Sequence, residues 1–588
     1  MTAAPDTQRG RARLRRAALW LAVVAALFAT TFLLLGGREG LILWYVRYFI
    51  RTEGAPTQTV HWQVAPSTAA RSPLPRLDNA LALLDTGAVP QPPNIVLIVA
   101  DDLGIHDLTL HGEGIAKGLV PTPNINRLAL QGAEFTTAYA GNATCSPSRA
   151  ALLTGRYATR VGVEYTPVPV AFSRALAAHR SQGQRHQNIF HSERVDQSPP
   201  YEQMGLPTSE ISLARLLKEA GYHTVHIGKW HLGEAAAFSP QAHGFDETLG
   251  FMAGASLFLP ENSPEVVNAK QTFDPIDTFL WAAHPWQVRF NGGAPFKPPR
   301  YLTDYFTDEA LRVISANRQR PFFLYLAYNA PHTPLQAIRE DYAALAGIPD
   351  HTRRVYGGMV RSLDRNIGRV IAALEAQSLA DNTLVIFTSD NGAPHSNGLQ
   401  GLNAPYRGWK ATFFEGGLRV PYFFYWPHRI APGTRYSAPV AHVDVFSTAA
   451  TAAGAVIPHD RRIDGVNLLP LVLPTPKHTA TVALPPPHPQ LFWRSGSYRA
   501  LRAGDWKLQV TERPRRTWLF NLAVDPTEHD DQAAREPARV AQLKAQLFAI
   551  DATQVKPLWP SLLEGAIAID KPLNQPTLVT DDYIYWSN

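Results

Sequence analysis

Cysteine is almost absent from this chain of 588 residues, which contains only Cys145. A single cysteine excludes an intrachain disulfide, and the lack of a cysteine cluster argues against a structural zinc site. A free cysteine without a reactive role is usually a small buried packing residue. Cys145 therefore either packs in the core or takes part in chemistry, and its sequence neighbours decide between the two.

Charge is also scarce, and it is unevenly placed. Charged residues make up 18% of the chain, and the formal net charge is +6. Residues 1–51 hold eight arginines against Asp6 and Glu39, so this segment carries the whole excess and the remainder is neutral. A basic face for nucleic acid is therefore not expected. A hydrophobic content of 45% excludes a disordered chain and indicates a large core.

The N-terminal segment has the pattern of a membrane anchor. Five arginines in residues 1–16 precede an uncharged apolar run at residues 17–35, which as a helix spans about 28 Å, close to a bilayer core. We predict a basic cytoplasmic tail at 1–16, a transmembrane helix at 17–35, and an interfacial segment and linker at 36–92. The protein is then single-pass in a cell inner membrane, with its catalytic domain on the periplasmic side. A cleaved signal peptide is the alternative.

The rest of the chain alternates between strand and helix patterns. Apolar runs at 94–100, 223–227, 322–328 and 383–388 are typical of parallel strands buried on both faces. With amphipathic helices between them, such as 209–220, they predict an α/β domain at 93–472 whose mostly parallel central sheet has helices on both faces. Residues 134–140 are expected to form one short strand. After a proline-rich hinge, residues 473–588 predict a small subdomain with an antiparallel sheet and one packing helix.

Polar side chains follow each of the four apolar strands. Ligands of open α/β sheets bind at the carboxyl ends of the strands, so these side chains are expected to form one site. The polar side chains at the strand ends are Asp101, Asp102, Lys229, His231, His332, Asp390 and Asn391. The oxygen donors among them suit a hard divalent cation such as Ca²⁺ or Mg²⁺. The basic side chains, together with Arg149 and Lys410, suit hydrolysis of an anionic ester.

Cys145 begins the segment Cys145-Ser146-Pro147-Ser148-Arg149, which reads as a turn into a helix. A nucleophile at a helix N-terminus beside an arginine is well placed to act on an anion. Here the chain resembles the type I sulfatase family, whose C-x-P-x-R signature this segment fits. The resemblance runs from about residue 93 to about residue 550. Other segments that fit the family are Gly228-Lys229-Trp230-His231, Ser389-Asp390-Asn391-Gly392, Gly408-Trp409-Lys410 and Glu415-Gly416-Gly417-Leu418-Arg419.

The resemblance implies an alkaline phosphatase-like fold and arylsulfatase-like hydrolysis of sulfate esters. It also implies that a separate maturation enzyme converts Cys145 to Cα-formylglycine (3-oxoalanine), whose hydrate attacks sulfur. Ca²⁺, rather than Mg²⁺, would be held by Asp101, Asp102, Asp390, Asn391 and modified Cys145. Arg149 would steady the hydrate, and Asp390 would help to deprotonate it. The resemblance further implies that His231 takes a proton as sulfate leaves. Lys229, Lys410 and His332 would bind the sulfate oxygens, and His332 or Lys410 would protonate the leaving alcohol.

Two other functions remain open at this point. One is a phosphonate or phosphodiester hydrolase of the same superfamily, and the other is a non-catalytic membrane protein that binds sulfated glycans. Asn391 favours the sulfatase, because the resemblance implies a histidine there in several phosphonate-cleaving relatives. Aryl, carbohydrate and steroid sulfates all fit as substrates.

Overall fold

A computed structural model describes residues 56–65, 92–112, 114–179, 183–474 and 485–588. The predicted anchor at 17–35, its cytoplasmic tail and most of the linker lie outside these residues. Within the described ranges, no helix combines the length and the apolar character that a membrane crossing requires.

The strands are numbered along the chain. They are β1 Asn94–Ala100, β2 Ala133–Phe135, β3 Ala138–Tyr139, β4 Ile189–Phe190, β5 His223–Lys229, β6 Glu247–Phe251, β7 Val266–Ala269, β8 Arg289–Phe290, β9 Phe322–Ala327, β10 Leu335–Ile338, β11 Thr383–Ser389, β12 Tyr422–Tyr425, β13 Thr434–Tyr436, β14 Val440–Ala441, β15 Gln490–Ser495, β16 Tyr498–Ala503, β17 Trp506–Glu512, β18 Arg515–Asn521, β19 Leu563–Ala568 and β20 Tyr583–Ser587.

The α-helices are numbered in the same way. They are α1 Pro123–Leu130, α2 Cys145–Thr154, α3 Ala158–Val161, α4 Val170–Ala178, α5 Leu213–Glu219, α6 Pro275–Ala283, α7 Leu302–Ala316, α8 Arg339–Ala343, α9 His351–Ala376, α10 Glu415–Leu418, α11 Asp444–Ala453, α12 Leu469–Val472 and α13 Pro537–Asp551. Short 3₁₀ turns join several of them.

A nine-stranded sheet forms the centre of the molecule, in the order β13-β2-β12-β11-β1-β9-β5-β6-β8. The run from β11 to β6 is parallel throughout, whereas β12 and β8 pair antiparallel with their inner neighbours. The prediction of a mostly parallel sheet is confirmed. The four apolar runs of the sequence are β11, β1, β9 and β5, which lie side by side.

Both faces of the central sheet are covered, which explains the unbroken apolar runs of its strands. Along β1 every residue is buried. Val96 and Ile98 pack into a cluster with side chains of α7 and α9, whereas Leu97 and Val99 pack on the other face with α2, α5 and α11. The central strands are therefore held between two layers of helices.

The C-terminal part forms the predicted antiparallel sheet, β15-β16-β17-β18, with α13 packed against it. Leu543 and Leu547 of α13 are buried in one cluster with Leu501 and Leu508 of the sheet. The last two strands return to the catalytic part, because β19 pairs with β4 as well as with β20. The boundary at residue 473 itself stays a prediction.

Two local predictions differ from the structure. The helix predicted at 209–220 begins only at Leu213, because the Ser212 hydroxyl accepts a hydrogen bond from the Arg215 amide and caps the helix there. The strand predicted at 134–140 is divided into β2 and β3, which pair with different partners, β12 and β13 for β2 and β14 for β3.

A buried charge cluster joins the C-terminal sheet to the first residue of α10. The ammonium of Lys507 in β17 lies 2.7 Å from Glu415 and 3.0 Å from Glu528, and all three side chains are inaccessible to solvent. Burial raises the pKa of Glu528 to about 7, with the Glu415 carboxylate adding to the effect and Lys507 opposing it. The ammonium of Lys507 therefore forms ion pairs with two buried carboxylates.

This cluster predicts a pH dependence of stability. The pKa of Glu528 rises from an ordinary value of 4.5 to about 7 on folding, so its contribution is complete below about pH 4.5 and is lost as the pH rises towards 7. We expect wild type to lose about 3 kcal/mol of unfolding free energy from this group over that range, and Glu528→Gln to lack this loss. Urea unfolding at pH 4.5 and 8 measures both proteins, with exposed Glu202→Gln as the control; parallel pH profiles for wild type and Glu528→Gln would contradict the assignment.

Candidate active site

The carboxyl ends of four adjacent parallel strands meet at one edge of the central sheet. Asp101 follows β1, Lys229 ends β5 and Asp390 follows β11. Backbone hydrogen bonds continue past the strands, from the Asp101 amide to Ala330 and from the Asp390 amide to Ala100, each 3.1 Å long. The polar residues that follow the apolar strands in the sequence therefore lie at one edge of the sheet, as expected.

Two of these endings have an unusual backbone. Asp102 and His231 have φ angles of 64° and 58°, in the left-handed region that residues with a Cβ rarely adopt. Such a conformation costs about 1 kcal/mol or more per residue, and strained residues of this kind cluster at functional sites. Asp102 lies just after β1 and His231 just after β5, which are both buried strands.

Cys145 is the first residue of α2 and is 3% exposed. Its Sγ lies 3.2 Å from the Lys410 ammonium and 3.6 Å from an Asp101 carboxylate oxygen. A cysteine that served only as a packing residue would be surrounded by apolar groups. Cys145 instead lies between a cation and a carboxylate at a helix N-terminus, which supports a chemical role.

Arg149 lies one turn further along α2 and is completely buried. Its Nε and one terminal nitrogen contact Asp390 Oδ2 at 2.9 and 2.8 Å, and its other terminal nitrogen donates to the Lys229 carbonyl at 3.1 Å. Although burial alone would raise it, Arg149 and then Lys229 hold the pKa of Asp390 well below its ordinary value. Asp390 is therefore a carboxylate.

Two lysines contact the pair of aspartates after β1. The Lys229 ammonium lies 2.6 Å from Asp101 Oδ2, and that of Lys410 lies 2.7 Å from Asp102 Oδ1. Burial, and secondarily the carboxylate of Asp390, raises the pKa of Asp101 well above its ordinary value. Burial would do the same for Asp102, but Lys410 and His332 lower its pKa. The three carboxylates are thus closely balanced by three basic side chains.

The two histidines differ in their surroundings. Burial, reinforced by Lys229 and Arg149, lowers the pKa of His231 well below its ordinary value, so its imidazole is neutral. His332 Nε2 lies 3.6 Å from Asp102 Oδ2, while its Nδ1 donates to the Thr333 carbonyl. Burial lowers the pKa of His332 as well, and Asp102 partly opposes this.

The residues present fit a divalent cation. One ligand atom from each of Asp101, Asp102, Cys145 and His332 lies within 4.8 Å of the others. Asn391 joins this group through a 2.7 Å hydrogen bond to Asp102, and its buried Oδ1 has no hydrogen-bond partner among the described residues. Asp390 joins through Asp102 too, because its Oδ1 accepts from the Asp102 amide at 3.2 Å. A buried oxygen without a donor is an atom that a cation can satisfy.

Glycines allow the two loops of the site to touch. A Cβ on Gly392, next to Asn391, would overlap the carbonyl oxygen of Gly416. The Gly392 amide donates to Gly417 at 3.1 Å, and the Lys410 amide donates to Ala393 at the same distance. Lys410 is therefore held in place by the loop that also carries Asp390 and Asn391.

The groups that support this site were not predicted from the sequence. Asp277 of α6 accepts hydrogen bonds from the Thr333 hydroxyl and from the Trp281 indole, and so fixes the segment that carries His332. His442 lies between the hydroxyls of Ser148 and Thr388, at 3.1 and 2.9 Å. Ser148 could have been predicted as a supporting residue, because it is adjacent to Arg149 in the motif. No sequence pattern indicates Asp277 or His442.

The fold and this constellation together define a hydrolase of the alkaline phosphatase-like superfamily. Residues 93–455 match the sequence profile of the sulfatase family. The chain is 36% identical over 456 residues to N-acetylgalactosamine-6-sulfatase of Mus musculus, covering 76% of this chain and 77% of that protein. It is 34% identical over 445 residues to steryl-sulfatase of Mus musculus, covering 66% of each.

A solved structure is also similar. It is described as Ps i-CgsB in complex with k-i-k-neocarrahexaose, and it superposes with a TM-score of 0.64 at 32% identity, covering 80% of this chain and 95% of that one. The chain belongs to the sulfatase family, and it is a sulfuric ester hydrolase.

Proposed function

We propose that this enzyme hydrolyses sulfate esters with Cys145 as the source of its nucleophile. The observation that carries the proposal is the position of Cys145 Sγ, at a helix N-terminus between Lys410 and Asp101. Conversion of Cys145 to formylglycine by a maturation enzyme would supply a hydrated aldehyde, and hence an oxygen nucleophile for sulfur. The basic groups around Cys145 suit an oxygen nucleophile that acts on an anionic ester.

The basic side chains would hold the sulfate group. Lys229 and Lys410 supply ammonium groups for its negatively charged nonbridging oxygens. His332, with its Nε2 directed towards Asp102 at 3.6 Å, or Lys410 would protonate the leaving oxygen. Neutral His231 would accept a proton as sulfate departs. Arg149 would keep Asp390 ionised beside the nucleophile.

We propose Ca²⁺ as the bound cation, with Asp101, Asp102, Asp390, Asn391 and modified Cys145 as its ligands. The ion would supply positive charge to the sulfate oxygens and to the nucleophile. His332 lies within the same group of donor atoms, but we assign it to the substrate because an all-oxygen set suits Ca²⁺ better.

The test of this function uses the full chain produced with a formylglycine-generating enzyme. Mass spectrometry of the peptide that contains Cys145 measures conversion, and turnover is compared for 4-nitrophenyl sulfate and a phenylphosphonate 4-nitrophenyl ester. We expect converted protein to prefer the sulfate by at least about 10-fold. Higher turnover of the phosphonate would replace the proposal with a phosphonate hydrolase, and full activity without conversion would rule out the aldehyde.

Removal of the cation should lower both stability and activity. Because the ion binds only the folded state, Ca²⁺ at about 100 times its dissociation constant should stabilise the chelator-treated protein by about 3 kcal/mol. Asp102→Ala should lose this stabilisation, whereas Asp505→Asn, in an exposed turn, should keep it. Urea unfolding with EGTA, Ca²⁺ or Mg²⁺ measures the effect; an unchanged midpoint on Ca²⁺ addition would contradict the site, and a larger effect of Mg²⁺ would change the ion.

We also propose that residues 17–35 anchor the enzyme in a cell inner membrane, with the catalytic domain on the periplasmic side. The support is the arginine cluster followed by an uncharged apolar run. Carbonate extraction tests this on membranes from cells that express either the full chain or a form lacking residues 1–35. We expect the full chain to stay with the membranes and the shortened form to be released; release of the full chain would contradict the anchor.

A further inference from the structure

The loop 407–414 carries Lys410 and leads into α10. Glu528, in the turn after β18, holds this Lys410 loop at both ends. At the start of the loop, the Arg407 guanidinium donates to the Glu528 carbonyl at 3.0 Å. Just past its end, the Glu415 amide donates to Glu528 Oε2 at 2.5 Å. Lys410 therefore lies between two points that one residue fixes.

The conformation of Glu528 is unusual for a residue with a long side chain. Its φ angle is 61°, in the left-handed region, and its carboxylate is inaccessible to solvent. The Lys507 ammonium lies 3.0 Å from Oε1, and the Gln509 side-chain amide donates to the same atom at 3.0 Å. Two groups of β17 thus fix Oε1, which leaves Oε2 for the Glu415 amide. A strained residue persists only where its surroundings determine it, and here the C-terminal sheet does so.

The Lys410 loop also packs directly on the C-terminal sheet. The Phe413 amide donates to the Tyr498 hydroxyl at 3.0 Å, and the centres of the two rings are 4.6 Å apart. The next ring, Phe414, lies 5.6 Å from Trp518. The other face of the sheet is covered by α13, where Leu543 is buried in a separate cluster. The two faces therefore have different roles, because only one of them contacts the loop.

Backbone contacts connect the ends of the loop to Lys410. The Gly416 amide donates to the Arg407 carbonyl at 2.7 Å, which closes the loop. The Ala411 amide donates to the Ala143 carbonyl at 2.8 Å, in the turn that leads into α2. Lys410 thus lies in a closed loop that is attached to the turn before the nucleophile. A displacement of the loop ends would displace its ammonium.

We propose that Glu528 is a positioning residue for Lys410, so that the C-terminal sheet supports hydrolysis through the Lys410 loop. The inference rests on the proposed function, which assigns the Lys410 ammonium to the sulfate group. Without the Glu528 carboxylate, the Glu415 amide would lose its acceptor and the loop would shift. Misplacement of a reacting group by about 1 Å costs about 100-fold in rate, so a smaller shift would still lower kcat. A residue that only joined the sheet to the catalytic part would affect stability and not the turnover of folded protein.

The test uses the full chain, produced with a formylglycine-generating enzyme. Glu528→Ala removes the carboxylate, Glu528→Gln keeps an oxygen for the Glu415 amide, and Arg407→Ala releases the other end of the loop. Leu543→Ala is the matched control, because it weakens the same sheet from the face that does not contact the loop. Hydrogen exchange of the peptide 407–417 measures the anchoring of the loop, and kcat on 4-nitrophenyl sulfate measures turnover. Lys410→Ala, alone and combined with Glu528→Ala, completes the set.

We expect Glu528→Ala and Arg407→Ala each to speed exchange of the peptide 407–417 by about 10-fold and to lower kcat by about 10-fold. Glu528→Gln should recover most of this kcat. Lys410→Ala should lose about 100-fold or more. In that background Glu528→Ala should lose less than about 3-fold further, because residues that act as a unit are not additive. Leu543→Ala should unfold at lower urea, with wild-type exchange of the loop and wild-type kcat.

Three results would overturn the proposal. They are unchanged exchange of the peptide 407–417 in Glu528→Ala, an equal loss of kcat in Leu543→Ala, and a full 10-fold loss when Glu528→Ala is added to Lys410→Ala. A converted wild-type enzyme that is inactive on sulfate esters would instead overturn the proposed function. The exchange measurement does not depend on activity, so it would still decide whether Glu528 holds the loop.

Discussion

Cys145→Ala is expected to fold as the wild-type chain does and to lose sulfate-ester hydrolysis by about 10⁴-fold or more. Removal of a nucleophile abolishes the covalent route, and comparable removals in other hydrolases cost factors of this size or larger. The fold should survive because the substitution removes one sulfur atom from a site whose ion pairs, Lys229 with Asp101 and Arg149 with Asp390, are unaffected. Initial rates on 4-nitrophenyl sulfate measure the loss.

The neighbouring residue provides a matched control for this experiment. Ser146 is completely buried, and its hydroxyl has no hydrogen-bond partner among the described residues. Ser146→Ala therefore removes one atom from the same helical turn without breaking a contact, and it should retain conversion and activity. Circular dichroism and urea unfolding establish that both variants are folded. Activity of Cys145→Ala within 10-fold of wild type would refute Cys145 as the source of the nucleophile.

Much of the site could be predicted from the sequence because its residues are attached to recognisable strand ends. Residues Ile95–Ala100 of β1 are apolar and lead to Asp101, and β11 has an apolar centre at Leu384–Phe387 and leads to Asp390. Parallel strands place their carboxyl ends together, so the meeting of these aspartates followed from the strand pattern alone. Arg149 was marked by its spacing from Cys145 along a helix. These signals are local in sequence.

What the sequence could not predict depends on long-range pairing. The position of β9 between β1 and β5, which brings His332 beside Asp102, is set by side-chain packing over the whole sheet. The contact of Asp277 with Thr333 joins residues separated by 56 positions. Such features arise from tertiary packing and leave no periodic pattern in the sequence.

Arg149 connects the stability of the site to its chemistry. The guanidinium is 0% exposed and is held by Asp390, by the Lys229 carbonyl and, at 3.7 Å, by Asp101. Although burial alone would lower it, Asp390 and Tyr325 raise the pKa of Arg149 above its ordinary value, so it is always charged. Loss of one member of a buried ion pair leaves the charge of the other uncompensated. A lysine in place of the arginine would keep the positive charge, and only the geometry of the planar guanidinium would be lost. Two substitutions can separate these contributions.

Arg149→Gln is therefore expected to lower the free energy of unfolding by about 3–5 kcal/mol, because Asp390 would be left buried without its partner. Arg149→Lys retains the charge and should lose less stability, but a lysine cannot make both the contacts to Asp390 and the contact to the Lys229 carbonyl. Both variants should lose at least about 100-fold in kcat, since misplacement of reacting groups by about 1 Å costs that much. Urea unfolding and initial rates on 4-nitrophenyl sulfate measure the two effects, with exposed Arg318→Gln as the control. Wild-type turnover by Arg149→Lys would show that only the positive charge is required at this position. The guanidinium contacts to Asp390 and to the Lys229 carbonyl would then not be needed to position the reacting groups.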